Sequence, residues 1–171
     1  MVTRALAIAV ALIGAAAGPV TAQQAVQESR PQQVLAQLAG TWSFQMFVPG
    51  RDYPWTKGRR EISLMEDSLK LSWSDDYEGT TVSGAGFLGY DERIQAYYLM
   101  GVRTRISTPM FLLGTASADT IRFDPNRTAG NYGNAPGTYQ MSELWMVDRD
   151  RFVWMMNENG WWAEFTRVGG P

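Results

Sequence analysis

The sequence predicts an all-β protein, an up-and-down antiparallel β-barrel of about eight to ten strands with one short N-terminal helix. From residue 41 onwards apolar and polar residues alternate, which is typical of half-buried strands. Turn residues recur about every ten positions, so the strands are short and consecutive. Many short antiparallel strands must protect their edges, and closing the sheet is the simplest way to do so. A β-sandwich is the alternative.

Residues 1–22 have the pattern of a signal peptide. Arg4 supplies one positive charge, an apolar run follows over 5–17, and small residues precede Gln23. The run is too short to span a bilayer, and it is apolar on all sides, unlike a helix packed on a core. We therefore expect cleavage after about Ala22, export to the periplasm or beyond, and no membrane span in the mature chain.

The composition of the mature chain excludes several classes of function. Removal of 22 residues from the 171 leaves 149, which suits one domain. The remaining 14 basic and 17 acidic residues give a net charge of −3 and no basic stripe for nucleic acid. The chain contains neither His nor Cys, which excludes disulfides, zinc sites of the usual kind and His-dependent triads. We expect no cofactor and no metal, and a monomer or weak dimer.

Two acid-rich segments could be considered as oxygen-ligand metal sites. They are Asp75–Gly79 and Asp148–Asp150. Neither has the twelve-residue spacing of a calcium loop, so both are interpreted as solvated turns.

The segment 23–40 predicts the single helix. Val34, Leu35 and Leu38 recur at helical spacing and would face the core, and Gly40 would end the helix.

The strands fill the barrel domain, predicted over 41–169. In chain order they are predicted at 41–48, 60–65, 69–73, 80–90, 93–103, 110–115, 120–123, 138–147, 151–156 and 161–168. Two segments rich in Pro, Gly and Asn interrupt the pattern, Pro49–Gly58 and Asp124–Gly137, and are predicted to form loops at the barrel mouth.

Gly84, Gly86 and Gly89 match the G-x-G-x-x-G dinucleotide fingerprint. That fingerprint requires a helix directly after the glycines, whose N-terminus meets the pyrophosphate. Here the residues that follow alternate as a strand. The glycines are therefore predicted to permit a bend or bulge in a closing sheet.

The alternation also predicts which residues face the barrel interior. In 93–103 the expected inner face includes Tyr98 and Met100, and in 138–147 it includes Tyr139, Met141, Glu143 and Trp145. A carboxylate there would be partly desolvated, which suits a general base or a ligand anchor, or an interior acid with a structural role. The candidate ligand-binding residues are Tyr53, Trp55, Tyr98, Met100, Tyr139, Met141, Glu143, Trp145 and Trp154.

Three short motifs carry a family resemblance. They are Leu38-x-Gly40-x-Trp42, the Gly-rich run from Gly84 into Gly89-Tyr90-Asp91, and a terminal Thr166-Arg167. Together they resemble lipocalin-like (calycin-type) barrels, in particular an uncharacterised family of exported bacterial proteins. The resemblance implies a fold, a compartment and an arginine that lies across the first-strand indole. It implies no established activity and therefore no catalytic residues.

Three functions remain open from the sequence. The leading hypothesis is an exported barrel that binds a small apolar or amphipathic molecule, because barrels of this size can enclose one ligand. The second is a cofactor-free isomerase, cyclase or lyase with Glu143 as acid or base and Tyr98 or Tyr139 as hydrogen-bond donor. The third is an envelope structural or interaction protein whose loops contact a partner.

Overall fold

The structure is a computed structural model that describes residues 30–66, 69–104, 106–124, 141–156 and 160–169. The described residues form one helix and ten strands: α1 (Arg30–Leu38), β1 (Gly40–Phe47), β2 (Thr56–Leu64), β3 (Lys70–Tyr77), β4 (Ser83–Asp91), β5 (Ala96–Arg103), β6 (Ile106–Ser117), β7 (Thr120–Asp124), β8 (Ser142–Asp148), β9 (Arg151–Met156) and β10 (Trp161–Gly169). The predicted signal peptide lies outside the described residues, as does nearly all of the second predicted loop.

The ten strands close into one antiparallel barrel. Each strand pairs with its neighbours in sequence, and β1 pairs with β10 to complete the ring, with Phe44 opposite Phe165. The predicted all-β, up-and-down barrel with one short helix is therefore confirmed. The first predicted loop is shorter than expected, because β2 already begins at Thr56.

The closed barrel is filled mainly by inward-facing aromatic and aliphatic side chains. Trp42 contacts Phe152 edge-on with ring centroids 4.7 Å apart, and Phe152 stacks on Phe165 at 4.2 Å. These rings come from β1, β9 and β10, so they stabilise the closing seam of the barrel. Aromatic pairs of this geometry add about 0.5–1.5 kcal/mol each beyond the area they bury.

The helix α1 covers one end of the barrel. Leu35 and Leu38 are fully buried in the core, as the sequence predicted. The carbonyl groups at the C-terminal end of a helix lack partners within the helix. Here Arg167 donates hydrogen bonds to the carbonyl oxygens of Ala39 at 2.6 Å and Gln37 at 2.7 Å. Its guanidinium lies 4.1 Å from the Trp42 ring, which confirms the arginine and indole contact implied by the resemblance. Since α1 lies at this end, the mouth of the barrel is at the opposite end.

The inner face of β5 differs from the prediction. Tyr97, Leu99 and Gly101 point inward, whereas Tyr98 and Met100 lie on the outer face. The prediction was wrong because β5 carries apolar residues on both faces, so its alternation does not indicate which face is buried. The choice depends on the neighbouring strands.

Glycines on the inner face of β4 and β5 explain that choice. A Cβ atom on Gly101 would lie 2.6 Å from the Trp73 indole, and one on Gly86 would lie 2.7 Å from it. The indole therefore lies directly on the backbone of these strands. The pairing of β4 with β3 and β5 runs without a register shift, so the predicted bulge is wrong. The glycines provide space for a tryptophan.

Candidate ligand site inside the barrel

An ion pair lies inside the barrel. Arg60 on β2 and Asp75 on β3 are direct cross-strand partners, and both side chains point inward. Arg60 is 6% exposed and Asp75 is 1% exposed. Arg60 Nε donates to Asp75 Oδ1 at 2.6 Å, and Arg60 Nη2 donates to Oδ2 at 2.8 Å. This two-point geometry is the strongest contact between an arginine and a carboxylate.

Three aromatic rings surround the Arg60 guanidinium. Its central carbon lies 4.9 Å from the Trp73 ring, 5.1 Å from the Trp154 ring and 4.6 Å from the Phe165 ring. The rings come from β3, β9 and β10, which converge only in the closed barrel. Desolvated cation–π contacts stabilise such a cation by about 2 kcal/mol.

Polar atoms without partners lie close to this ion pair. Among the described residues, the buried atoms that lack a hydrogen-bond partner are Trp73 Nε1, Trp154 Nε1 and Ser142 Oγ. Each unsatisfied buried group costs roughly 1–3 kcal/mol, so native proteins avoid them. Two of these three groups belong to the indoles that flank Arg60. The site can therefore donate hydrogen bonds to an acceptor that is not part of the described chain.

A small cavity adjoins the ion pair and both indoles. It measures about 20 Å³, taken as the space open to the centre of a water molecule, which is room for roughly one water. Apart from Arg60 and the indoles, its wall is apolar and includes Leu99, Phe123 and Leu144. The interior is therefore nearly filled by side chains.

A second cavity lies at the mouth. It also measures about 20 Å³ and is lined by Met46, Arg103, Trp154, Trp161, Trp162 and Ala163. Trp154 lines both cavities. Its side chain is therefore shared by the mouth cavity and the cavity beside the ion pair.

Tyr77 and Arg103 belong to the mouth side of the lumen. Tyr77 follows Asp75 by two positions on the inner face of β3, and its ring contacts Phe44 edge-on at 5.1 Å. Burial raises the pKa of the Tyr77 hydroxyl above its usual value, the nearby Arg103 charge opposes this rise, and Asp75 adds to it. The protonated hydroxyl can donate a hydrogen bond.

The predicted inner face of β8 is wrong. Ser142, Leu144 and Met146 are the inward residues, whereas Glu143 lies on the outer face and Trp145 is 45% exposed. Glu143 Oε1 lies 3.8 Å from Arg122 Nε on the neighbouring strand. Like β5, β8 has large apolar residues on both faces, so its own alternation does not decide the matter.

The other predicted site residues are dispersed. Met141 accepts a hydrogen bond from Arg122 at 3.3 Å, next to Glu143 and away from the lumen, and Tyr139 lies outside the described residues. Trp154 faces the interior. Tyr53 and Trp55 are exposed, and Trp55 contacts Trp161 edge-on at 5.2 Å, beside the mouth cavity. An enzyme with Glu143 as an interior base has no geometric basis.

The sequence analysis missed Arg60, Asp75, Trp73 and Arg103. Asp75 was interpreted as part of a solvated turn, but β3 continues to Tyr77 and buries it. One signal was present, because Leu71, Trp73, Asp75 and Tyr77 alternate at period two.

Comparison with known protein families found no match. A comparison with curated proteins found none either. The closed ten-strand barrel is consistent with a lipocalin-like fold, which is the coarser part of the resemblance. Within the described ranges, no helix is long and apolar enough to cross a membrane, and no group of three acidic side chains could hold a metal ion.

Proposed function

We propose that this protein is an exported barrel that binds a compact, largely apolar molecule carrying a hydrogen-bond acceptor. The observation that carries the proposal is the pair of buried indole N–H groups of Trp73 and Trp154, which lack partners among the described residues and flank the Arg60 ion pair. The apolar wall of the adjoining cavity fits the rest of such a ligand. Export follows from the signal-like residues 1–22 and is part of the proposal.

The indole N–H groups favour binding over a purely structural role. A core that evolved only for stability would pair these donors or replace the indoles by Phe or Leu, because each unpaired donor costs roughly 1–3 kcal/mol. A ligand carbonyl would satisfy a donor that the described chain leaves unpaired. The ion pair would hold the indoles in place through its ring contacts.

The size of the cavities determines how the ligand is admitted. Each cavity has room for roughly one water, so a molecule of several carbon atoms needs more space. Because Trp154 lines both cavities, we expect a change of its rotamer to enlarge and connect them. We therefore propose that Trp154 moves when the ligand binds and that it controls access to the ion pair.

Calorimetric titration with acetophenone tests the proposal. Acetophenone is compact and apolar with one carbonyl acceptor, and isopropylbenzene has a similar shape without it. We expect saturable binding of acetophenone that is about fivefold to tenfold tighter than that of isopropylbenzene. Trp154→Phe keeps an aromatic ring but removes one of the two unpaired N–H donors, so it should reduce this preference.

The matched control is Trp145→Phe on the outer face of β8. This variant removes an indole N–H that does not line the lumen, so both affinities should stay unchanged. Equal affinity for the two probes in the wild-type protein would contradict the role of the donors. The absence of saturable binding of either probe would refute the binding function for ligands of this class.

One observation favours the interaction protein as a second candidate. On the outer face of the barrel, Phe87 lies opposite Met100, and Val102 lies two positions further along β5. All three are exposed, and adjoining apolar residues on a surface are typical of contact sites. We propose a monomer or weak dimer, and sedimentation of Val102→Lys against wild type would show whether this face supports self-association.

A further inference from the structure

We propose that the ligand is an amphipathic monocarboxylate whose anionic group is bound by Arg103 at the barrel mouth, with its apolar part directed past Trp154 into the lumen. This inference rests on the proposed function and names its ligand class. It starts from an inward-facing cation that has no acidic partner among the described residues.

Arg103 is the last residue of β5 and lies on its inner face, opposite Gly84 on β4. A Cβ atom on Gly84 would lie 3.5 Å from Arg103 Cγ, so the arginine side chain crosses the space that this glycine leaves open. Arg103 is half-buried and lines the mouth cavity.

The other charges inside the barrel cancel. The positive charge of Arg60 is paired with Asp75, and both are buried. Arg167 is partly buried at the closed end and is paired with Asp150, and the remaining ion pairs of the described residues lie on the outside, including that of Arg122 with Glu143. Among the described inward-facing residues of the mouth half of the barrel, Arg103 is therefore the cation without an acidic partner. A bound monoanion would neutralise it, whereas a dianion would leave a negative charge in an apolar site.

The surroundings of Arg103 favour a carboxylate attached to an apolar group. Met46, Trp154, Trp161 and Ala163 line the same cavity, and a charge interaction is stronger beside such side chains than in water. The planar fork of a guanidinium matches the two oxygens of a carboxylate. The Tyr77 hydroxyl, whose pKa is raised by burial and lowered by the Arg103 charge, is a second hydrogen-bond donor near Arg103.

Octanoate and octanamide test the inference. The two probes have the same length and shape, and each has a carbonyl acceptor, but only octanoate is charged at pH 8. We expect the wild-type protein to bind octanoate about tenfold to a hundredfold more tightly than octanamide, as measured by calorimetry. Arg103→Gln should remove that preference while octanamide affinity stays the same.

Arg122→Gln is the matched control, because it removes an arginine from the outer face. It should keep the preference for octanoate. Equal binding of both probes by the wild type would overturn the carboxylate inference and leave the proposed function intact. Binding of neither would also overturn the carboxylate inference, and the acetophenone titration then decides the proposed function separately. An equal loss of preference in the two arginine variants would overturn the role of Arg103, because a general charge effect would then explain it.

A second measurement needs no substitution of the arginine. A carboxylate bound to Arg103 would neutralise the charge that opposes the rise in the pKa of Tyr77. Arg60 and Asp75, the other charged groups that act on Tyr77, remain paired. Saturation with octanoate should therefore move the ultraviolet titration of Tyr77 to higher pH. The Tyr77 signal is identified as the part of the titration that is absent in Tyr77→Phe. Octanamide should leave it in place, and an unchanged titration with octanoate bound would overturn the inference.

Discussion

Replacement of Asp75 by Asn should destabilise the protein strongly. Asn has nearly the shape of Asp but carries no charge, so Arg60 would remain buried as a cation without a counter-ion. Removing one partner of a buried pair costs about 3–5 kcal/mol. Asp75 is 1% exposed and accepts two hydrogen bonds from Arg60, at 2.6 and 2.8 Å, so little of this cost can be relieved by water.

Urea unfolding, followed by circular dichroism, measures this effect. For a domain of this size, 3–5 kcal/mol corresponds to a fall in Tm of about 6–20 °C, which a thermal scan would check. The double variant Arg60→Met with Asp75→Leu replaces the pair by apolar residues, so it should unfold at higher urea than Asp75→Asn. The three rings around Arg60 can pack on a Met side chain.

A small loss of stability in Asp75→Asn would refute this reasoning. If Asp75→Asn lowered the free energy of unfolding by less than about 1 kcal/mol, Arg60 would have access to water or to another anion. A double variant less stable than Asp75→Asn would show that the pair contributes net stability, against the expectation for buried ion pairs.

Four further predictions concern other parts of the barrel. Arg167→Ala should lower the free energy of unfolding, measured in urea, by about 3 kcal/mol, because this variant removes two hydrogen bonds to carbonyls and the contact with Trp42. Arg167→Lys should lower it by less, because a positive charge remains. Gly101→Ala should cost about 1–3 kcal/mol and change the tryptophan fluorescence, because the new methyl group would overlap Trp73. Glu143→Gln should change the free energy of unfolding by under about 1 kcal/mol and leave acetophenone affinity unaltered, because it breaks only a partly exposed ion pair. The pKa of Tyr77 is raised above 10.0, so its contribution to stability is complete below that pH and is lost as the pH rises through the raised pKa; Tyr77→Phe should reduce this alkaline decline in urea titrations.

The fold was accessible from the sequence because it depends on repeated local signals. Alternation of apolar residues and regular turns predicted consecutive antiparallel strands, and the need to protect strand edges predicted closure. The helix residues Leu35 and Leu38 were identified correctly, because helical spacing places them on one face. The position of Arg167 across the Trp42 ring was predicted from the terminal Thr166-Arg167 motif, which can be recognised from the sequence alone.

The candidate site was not accessible in the same way. A one-position error in parity moves every side chain of a strand to the other face, and β5 and β8 are apolar on both faces. Those two strands carried Tyr98, Met100, Glu143 and Trp145, so all four were assigned to the wrong side. Buried charges were also underestimated, since an acidic residue near a glycine is usually solvated.

The sequence by itself therefore determined the class of fold, the position of the helix and the absence of chemistry that needs His or Cys. Only the tertiary structure decided which residues share the lumen. Arg60, Asp75, Trp73 and Trp154 come from three strands that meet inside a closed sheet, and their pairing depends on the register between β2 and β3 and on the space left by glycines in β4 and β5. Register and clearance are relations between strands, and a single strand's pattern does not contain them.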